Sequence, residues 1–321
     1  MPGSARVTRG EVDGYDAVTL AGPGGGLEAT FLPHLGMVGC SLRHRAEELL
    51  APRGGAAAYA ERGSTFGIPL LHPWANRLSA WEYECQGHAV SLDPDSPVTH
   101  RDGDTGLPIH GLLAASPFWT VADTAADPAA ARLTANLDFG AHPELLAAFP
   151  FPHRLEMTAT VNDSELAISV VVTATSTEPV PIAFGFHPYI GLPGSDRRTW
   201  EIELPVRRRA QLSEQGIPTG EHEAIEPGSL DGPLGERTFD DSFDELDERP
   251  VFRVSDARRK VSVEFRSGYR VAQVYAPAAS GFICFEPMTS PVDALRSGCG
   301  LASTGPDGNF RADFALVVSN V

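Results

Sequence analysis

Apolar residues recur with period two along much of the chain: Leu133, Ala135 and Leu137 in "RLTANL", Leu166, Ile168, Val170 and Val172 in "ELAISVVVTA", and Trp200, Ile202, Leu204 and Val206 in "TWEIELPV". Such alternation predicts strands with one buried face, because successive strand side chains point to opposite sides. Asn162, Asp163 and Ser164 separate two of these runs and predict a hairpin, being residues that tolerate left-handed backbone. A 3.6-residue period is scarce. "HPELLAAF" offers two helical turns, with Pro143 early enough that its missing N–H costs nothing. The pattern predicts an all-β, antiparallel chain with few short helices. With no fixed-period repeat and no linker, one domain over residues 1–321 is expected, and "DTAADPAAA" (Asp123–Ala131) and the acidic run Asp240–Glu248 read as solvated loops.

Composition sharpens this picture. Gly (32) and Pro (27) make up 59 of 321 residues, about 18% against roughly 12% in average usage, so turns are frequent. A net charge of −17 provides no field of the sign needed to displace counterions from phosphates, which argues against nucleic acid and anionic membrane as partners. Lys260 is the only lysine, so lysine chemistry has one candidate. Cys40, Cys85, Cys284 and Cys299 form no C-x-x-C pair, and no apolar run resembles a signal peptide or spans a bilayer. Free thiols and a cytoplasmic location are expected.

"GPGGG" (Gly22 to Gly26) precedes "LEATFLPHLG", a strand pattern, and so reads as a hairpin tip, not a phosphate loop. Neither H-E-x-x-H nor G-x-S-x-G occurs. Four segments do carry reactive side chains that packing does not obviously require. In "LLHPWANRL", Asn76 and Arg77 follow His72 and Trp74; an Arg fork beside an aromatic can grip sugar hydroxyls while the ring covers C–H surface. "GLPIHGLL" sets His110 before Gly111, whose missing side chain would let a ligand approach the backbone. "FGFHPYIGLPG" mounts His187 where an extended run stops, and "SGFICFEP" runs a buried-looking strand into Glu286. A carboxylate there is costly unless paired. Each residue alone is also readable as structural: a loop-tying Arg, a satisfied His, a salt-bridged Glu.

Together and in this order, Asn76-Arg77-Leu78 with Tyr83 and Gly87, His110-Gly111, His187-Pro188-Tyr189 and Glu286 resemble the aldose 1-epimerase (galactose mutarotase) family. "FPFPHRLEMTATV" and "PTGE" match as well, and the similarity runs over residues 27–320. The resemblance implies a single-domain β-supersandwich with an open concave face. It implies Glu286 as general base and His187 as general acid, with Arg77, His110 and Asp240 (or its neighbour Asp241) holding the sugar; Asn76, Trp74 and His72, beside Arg77 in the first segment, complete the expected substrate-binding set. It also implies a monosaccharide substrate, no cofactor or metal, and a monomer or homodimer. Leu112, Trp81 and Ile190-Gly191 stand where the family pattern has Gly, Gly and Phe-Asn, which leans toward the branch that includes hexose-6-phosphate epimerases. A phosphate would then need cations, for which Arg207–Arg209 or Arg258–Arg259 are candidates. A non-catalytic sugar-binding module, and a glycoside hydrolase using Asp240 and Glu286, are the other readings of the same residues.

The chemistry implied is modest. One base takes the C1 hydroxyl proton while one acid, expected on the other side of the sugar, protonates the ring oxygen, so that the ring opens, C1 turns and the ring closes on its other face.

Overall fold

The alternating runs fold into the wall of a nine-stranded antiparallel sheet. In a computed structural model, which describes residues 3–278, 280–306 and 308–321, the sheet order is Gly232–Pro233, Glu201–Glu203, Val251–Ser255, Arg259–Ser267, Asn309–Asn320, Glu165–Ala174, His153–Val161, Ala131–Asp138 and Thr120–Ala126. Leu133, Leu155, Ile168, Val263 and Phe314 all lie on its buried face, as period two requires. A five-stranded sheet formed by residues 6–48 adds Leu20, Ala29 and Phe31 to the same core. The "GPGGG" tip lies against the Asn162–Asp163 turn, where Gly22, Gly24 and Gly26 leave no room for a Cβ.

Facing this wall is an eight-stranded sheet that carries the chemistry. Its order is Pro218–Ala224, Val206–Leu212, Phe239–Leu246, Val271–Ala276, Ile283–Met288, Gly185–Phe186 and Leu70–Leu71, with Tyr189–Ile190 also pairing on Ile283–Met288. Two expected loops are strands here. The acidic run pairs as Phe239–Leu246 because Phe239 and Phe243 bury every fourth side chain while the carboxylates between them take polar partners. Likewise "DTAADPAAA" contributes to both Thr120–Ala126 and Ala131–Asp138, leaving only residues 127–130 as a turn. The helix expected in "HPELLAAF" is Pro143–Ala148, and an unexpected one, Gly55–Arg62, buries Ala56, Ala58 and Tyr59. Among the described residues no helix is long and apolar enough to cross a membrane.

Between the sheets lies a buried histidine pair. His72 Nε2 is 2.8 Å from His153 Nε2, and His153 Nδ1–H donates to the Phe151 carbonyl at 2.6 Å, so His72 is the donor of the pair. Phe139 stacks on His153 with centroids 4.3 Å apart. Burial drives His153 down to about 4 and His72 well below the usual imidazole value. Both are neutral in the folded chain and take protons only on unfolding, so stability contributed above pH 6.5 is lost as pH falls toward 4. For His153 alone the loss reaches about 3 kcal/mol at 1.36 kcal/mol per unit. The urea midpoint should fall over that window, and a His72→Phe/His153→Leu double variant should show a flatter fall; an equally steep fall would assign the acid sensitivity elsewhere.

Candidate active site

Strand register gathers the site. Within Ile283–Met288, Ile283 and Phe285 point into the main core, whereas Cys284, Glu286 and Met288 alternate onto the other face. Glu286 is opposite Gln273, which is opposite Ser242; Cys284 is opposite Tyr275, which is opposite Asp240. Directly opposed residues share a face, so Asp240, Gln273, Tyr275 and Glu286 form one patch. Asp241 is on the other face, 3.4 Å from Arg209 Nε, which settles the register between the two aspartates.

On the opposite flank of Ile283–Met288, Gly185 pairs with Met288 and Tyr189 with Cys284. Counting inward from both, His187 falls opposite Glu286, at the point where Pro188 has no N–H for the ladder. His187 Nε2 is 3.3 Å from Glu286 Oε1, with side chains only 7% and 2% exposed. The expected arrangement, an acid and a base flanking a sugar from opposite sides, is thus replaced by two groups side by side.

These groups line a cavity of about 430 Å³ with Arg53, Arg62, Asn76, Arg77, Arg101 and His110 around them. Arg77 Nε donates to Asp102 Oδ2 at 2.7 Å, and Asn76 Oδ1 accepts from the Arg77 backbone N–H at 2.9 Å. The His110 ring meets His187 edge-on with centroids 5.5 Å apart. Gln273 Nε2 donates to Asp240 Oδ1 at 2.7 Å. Among the described residues, Glu286 Oε2 and His110 Nδ1 are buried without a hydrogen-bond partner, although buried polar groups nearly always have one. Neither the oxygen nor the nitrogen has a partner among the described residues.

Two expected contacts are absent, for one reason. His72 and Trp74 are buried in the core beneath the pocket, His72 against His153 and Trp74 beside Ala183, because the stretch is pinned by Leu112 N–H to His72 C=O (2.7 Å) and Ala75 N–H to Ala183 C=O (2.7 Å). Nor does Gly111 admit a ligand: its φ is 72°, and a Cβ there would run into the His72 carbonyl. The chain's own backbone makes the close approach. Missed by sequence reading were Arg53, Arg62, Thr65, Arg101 and Asp102, none of them on a strand, and Gln273 and Tyr275, brought in by strand pairing; Tyr189 lay inside a recognised motif.

Electrostatics favour the neutral pair. Burial, then the Asp240 charge, raise Glu286 well above the ordinary carboxyl value, with Arg77 opposing. Burial, then His110 and Arg53, lower His187 well below the imidazole value. His110 is pushed to about 3 by burial and Arg77, so it is a neutral donor and acceptor. Both directions favour the uncharged forms, a carboxylic acid beside a neutral imidazole. A protonated-carboxyl infrared band should therefore persist in the ligand-free protein at pH 6 and weaken in Glu286→Gln; a spectrum unchanged by the substitution would place that proton elsewhere.

The family model "Aldose 1-epimerase" matches residues 36–315. A galactose mutarotase-like protein from Clostridium acetobutylicum is similar in structure with a TM-score of 0.85 at 18% identity, covering 99% of both chains. Galactose 1-epimerase from Lactobacillus acidophilus gives 0.75 at 14% identity, covering 98% of both. A galactose mutarotase-like protein from Lactobacillus casei gives 0.69 at 16%, covering 98% of this chain and 100% of that one. At such identities the structures show a shared fold, the galactose mutarotase-like sandwich. A comparison with curated protein sequences returned no match.

Proposed function

Because the chain belongs to the aldose 1-epimerase family, we propose that it interconverts the α and β anomers of an aldose, with Glu286 and His187 as the proton-transferring pair. The observation that carries this reading is the side-by-side pair, 3.3 Å apart in a polar cavity, with Glu286 Oε2 uncommitted.

A sugar entering with Glu286 as carboxylate and His187 as imidazolium gives its O1 proton to Glu286. The C1–O5 bond breaks with its electron pair going to O5, which takes the His187 proton, and C1=O1 forms. Rotation about C1–C2 presents the other face; O5 then attacks C1, returning its proton to His187 while Glu286 returns one to O1. No proton is gained or lost overall. The open-chain stage leaves Glu286 and His187 both neutral, the state that burial favours, so desolvation helps opening. Arg77, fixed by Asp102, with neutral His110 and Gln273-held Asp240, would orient the hydroxyls.

A phosphorylated aldose is a second reading, favoured by three exposed arginines, Arg53, Arg62 and Arg101, at the mouth of the pocket in a chain of net charge −17. The arginines first considered for phosphate do not line the pocket: Arg207 pairs with Asp247, Arg208 with Asp244, Arg209 with Asp241, and Arg258 and Arg259 with Glu47. Trp81 backs the rim, its ring 5.2 Å from Arg101 Cζ and its indole N–H on Gly106 C=O at 3.1 Å.

Polarimetry of fresh α-glucose and α-galactose should show mutarotation faster than buffer, falling about 10²- to 10⁴-fold in kcat for Glu286→Gln. Absence of acceleration for any common aldose or aldose phosphate overturns the reading. On the phosphate reading, Arg62→Ala/Arg101→Ala should raise KM for glucose 6-phosphate and leave that for glucose unchanged.

A further inference from the structure

Arg77 lines the pocket, but its guanidinium is held by groups from several parts of the chain. Its Nε–H donates to Asp102 Oδ2 at 2.7 Å, and its Nη1–H donates to Asn76 Oδ1 at 3.3 Å. Asp102 is itself fixed. Thr105 Oγ1 donates to the same Oδ2 at 2.7 Å, the Asp102 N–H donates to the Leu107 carbonyl at 2.9 Å, and the Asp102 carbonyl accepts from Gly106 N–H at 2.9 Å. The Arg77 and Asp102 side chains are only 16% and 11% exposed. With Nε and Nη1 engaged, Nη2 is the guanidinium nitrogen left for a ligand.

A hairpin tip that contributes no side chain lies against the same guanidinium. Residues 213–217 turn between Val206–Leu212 and Pro218–Ala224, with Gly216 N–H donating to Ser213 C=O at 2.9 Å and Ser213 N–H to Ile217 C=O at 2.8 Å. Gly216 has a φ of 73°, and a Cβ there would stand 2.8 Å from Arg77 Nη1 and 3.4 Å from its Cζ, well inside ordinary contact. The tip is anchored, because Ile217 packs on the apolar cluster of Leu71, Ala75, Val271 and Met288. A side chain at 216 would therefore displace the flexible end of Arg77 and stretch its bond to Asp102.

We infer that Gly216 is a positioning residue: its bare backbone is the backstop that seats the Arg77 guanidinium on Asp102 and presents Nη2 to the sugar. The residue has no contact with the pocket of its own and acts through Arg77 alone. Gly220, four residues on in the same hairpin, supplies the comparison. Its φ is 88°, so it carries the same backbone demand, but the space where its Cβ would stand is open.

The consequences for turnover rest on the anomer-exchange reading above; the placement of Arg77 does not. Gly216→Ala should lower kcat/KM about 10-fold, within the range for a displaced orienting group, whereas Gly220→Ala should leave it unchanged. Asn tolerates left-handed backbone better than Ala. Gly216→Asn should therefore be at least as damaging as Gly216→Ala if contact with Arg77 is the cause, and milder if backbone strain is. In an Arg77→Ala background, Gly216→Ala should cause no further loss. In ligand-free protein, the ¹H–¹⁵N signal of Arg77 Nε, assigned by its loss in Arg77→Lys, should be protected from solvent exchange by the Asp102 bond. That protection should fall in Gly216→Ala and Gly216→Asn and persist in Gly220→Ala, whether or not a sugar is turned over. An Nε signal that keeps its position and protection in both Gly216 variants overturns the inference, even where kcat/KM falls. Absence of mutarotation in the wild type would instead defeat the anomer-exchange reading and leave the Nε measurement to decide on Gly216.

Discussion

Antiparallel pairing across residues 187 and 286 is the constraint on which the site depends. Gly185 with Met288 and Tyr189 with Cys284 fix both sides of the rung, so His187 and Glu286 are neighbours by register and not by chance approach of two loops. Slipping by one residue would turn Glu286 into the main core and bring Phe285 or Pro287 to the pocket. Ile283 and Phe285, both fully buried, hold the register by the hydrophobic surface they remove from water.

That anchoring imposes an electrostatic cost, and the surroundings manage it. An isolated buried carboxylate would be strongly disfavoured. Here burial pushes Glu286 and His187 each toward its uncharged form, Arg77 opposes the shift at Glu286, and Asp240 is held by Gln273. In the proposed reaction, aldose ring opening moves the pair between charged and neutral forms at constant proton count.

Much of this was legible in the chain. Period two in residues 133–137 and 166–172 gave the nine-stranded wall, and the ordered set Arg77, His110, His187 and Glu286 gave the cavity lining. What sequence reading missed was set by tertiary pairing. The acidic run after Phe239 looked solvated because its two core phenylalanines are four apart and separated by charges, a pattern that only its partners Val206–Leu212 and Val271–Ala276 make sense of. His72 and Trp74 looked like sugar contacts because motif proximity cannot tell the pocket floor from the core beneath it. Arg53 and Thr65 had no local signal; they reach the site because Tyr189 lies between them and His187.

The central claim is that Glu286 and His187 act as one unit sharing a proton, and a double-mutant cycle on mutarotation tests it most directly. Rates for Glu286→Gln, His187→Gln and the double variant should show the double variant no slower than the worse single variant, since removing either partner disables both. Losses in kcat that multiply would show two groups acting independently and would contradict the account.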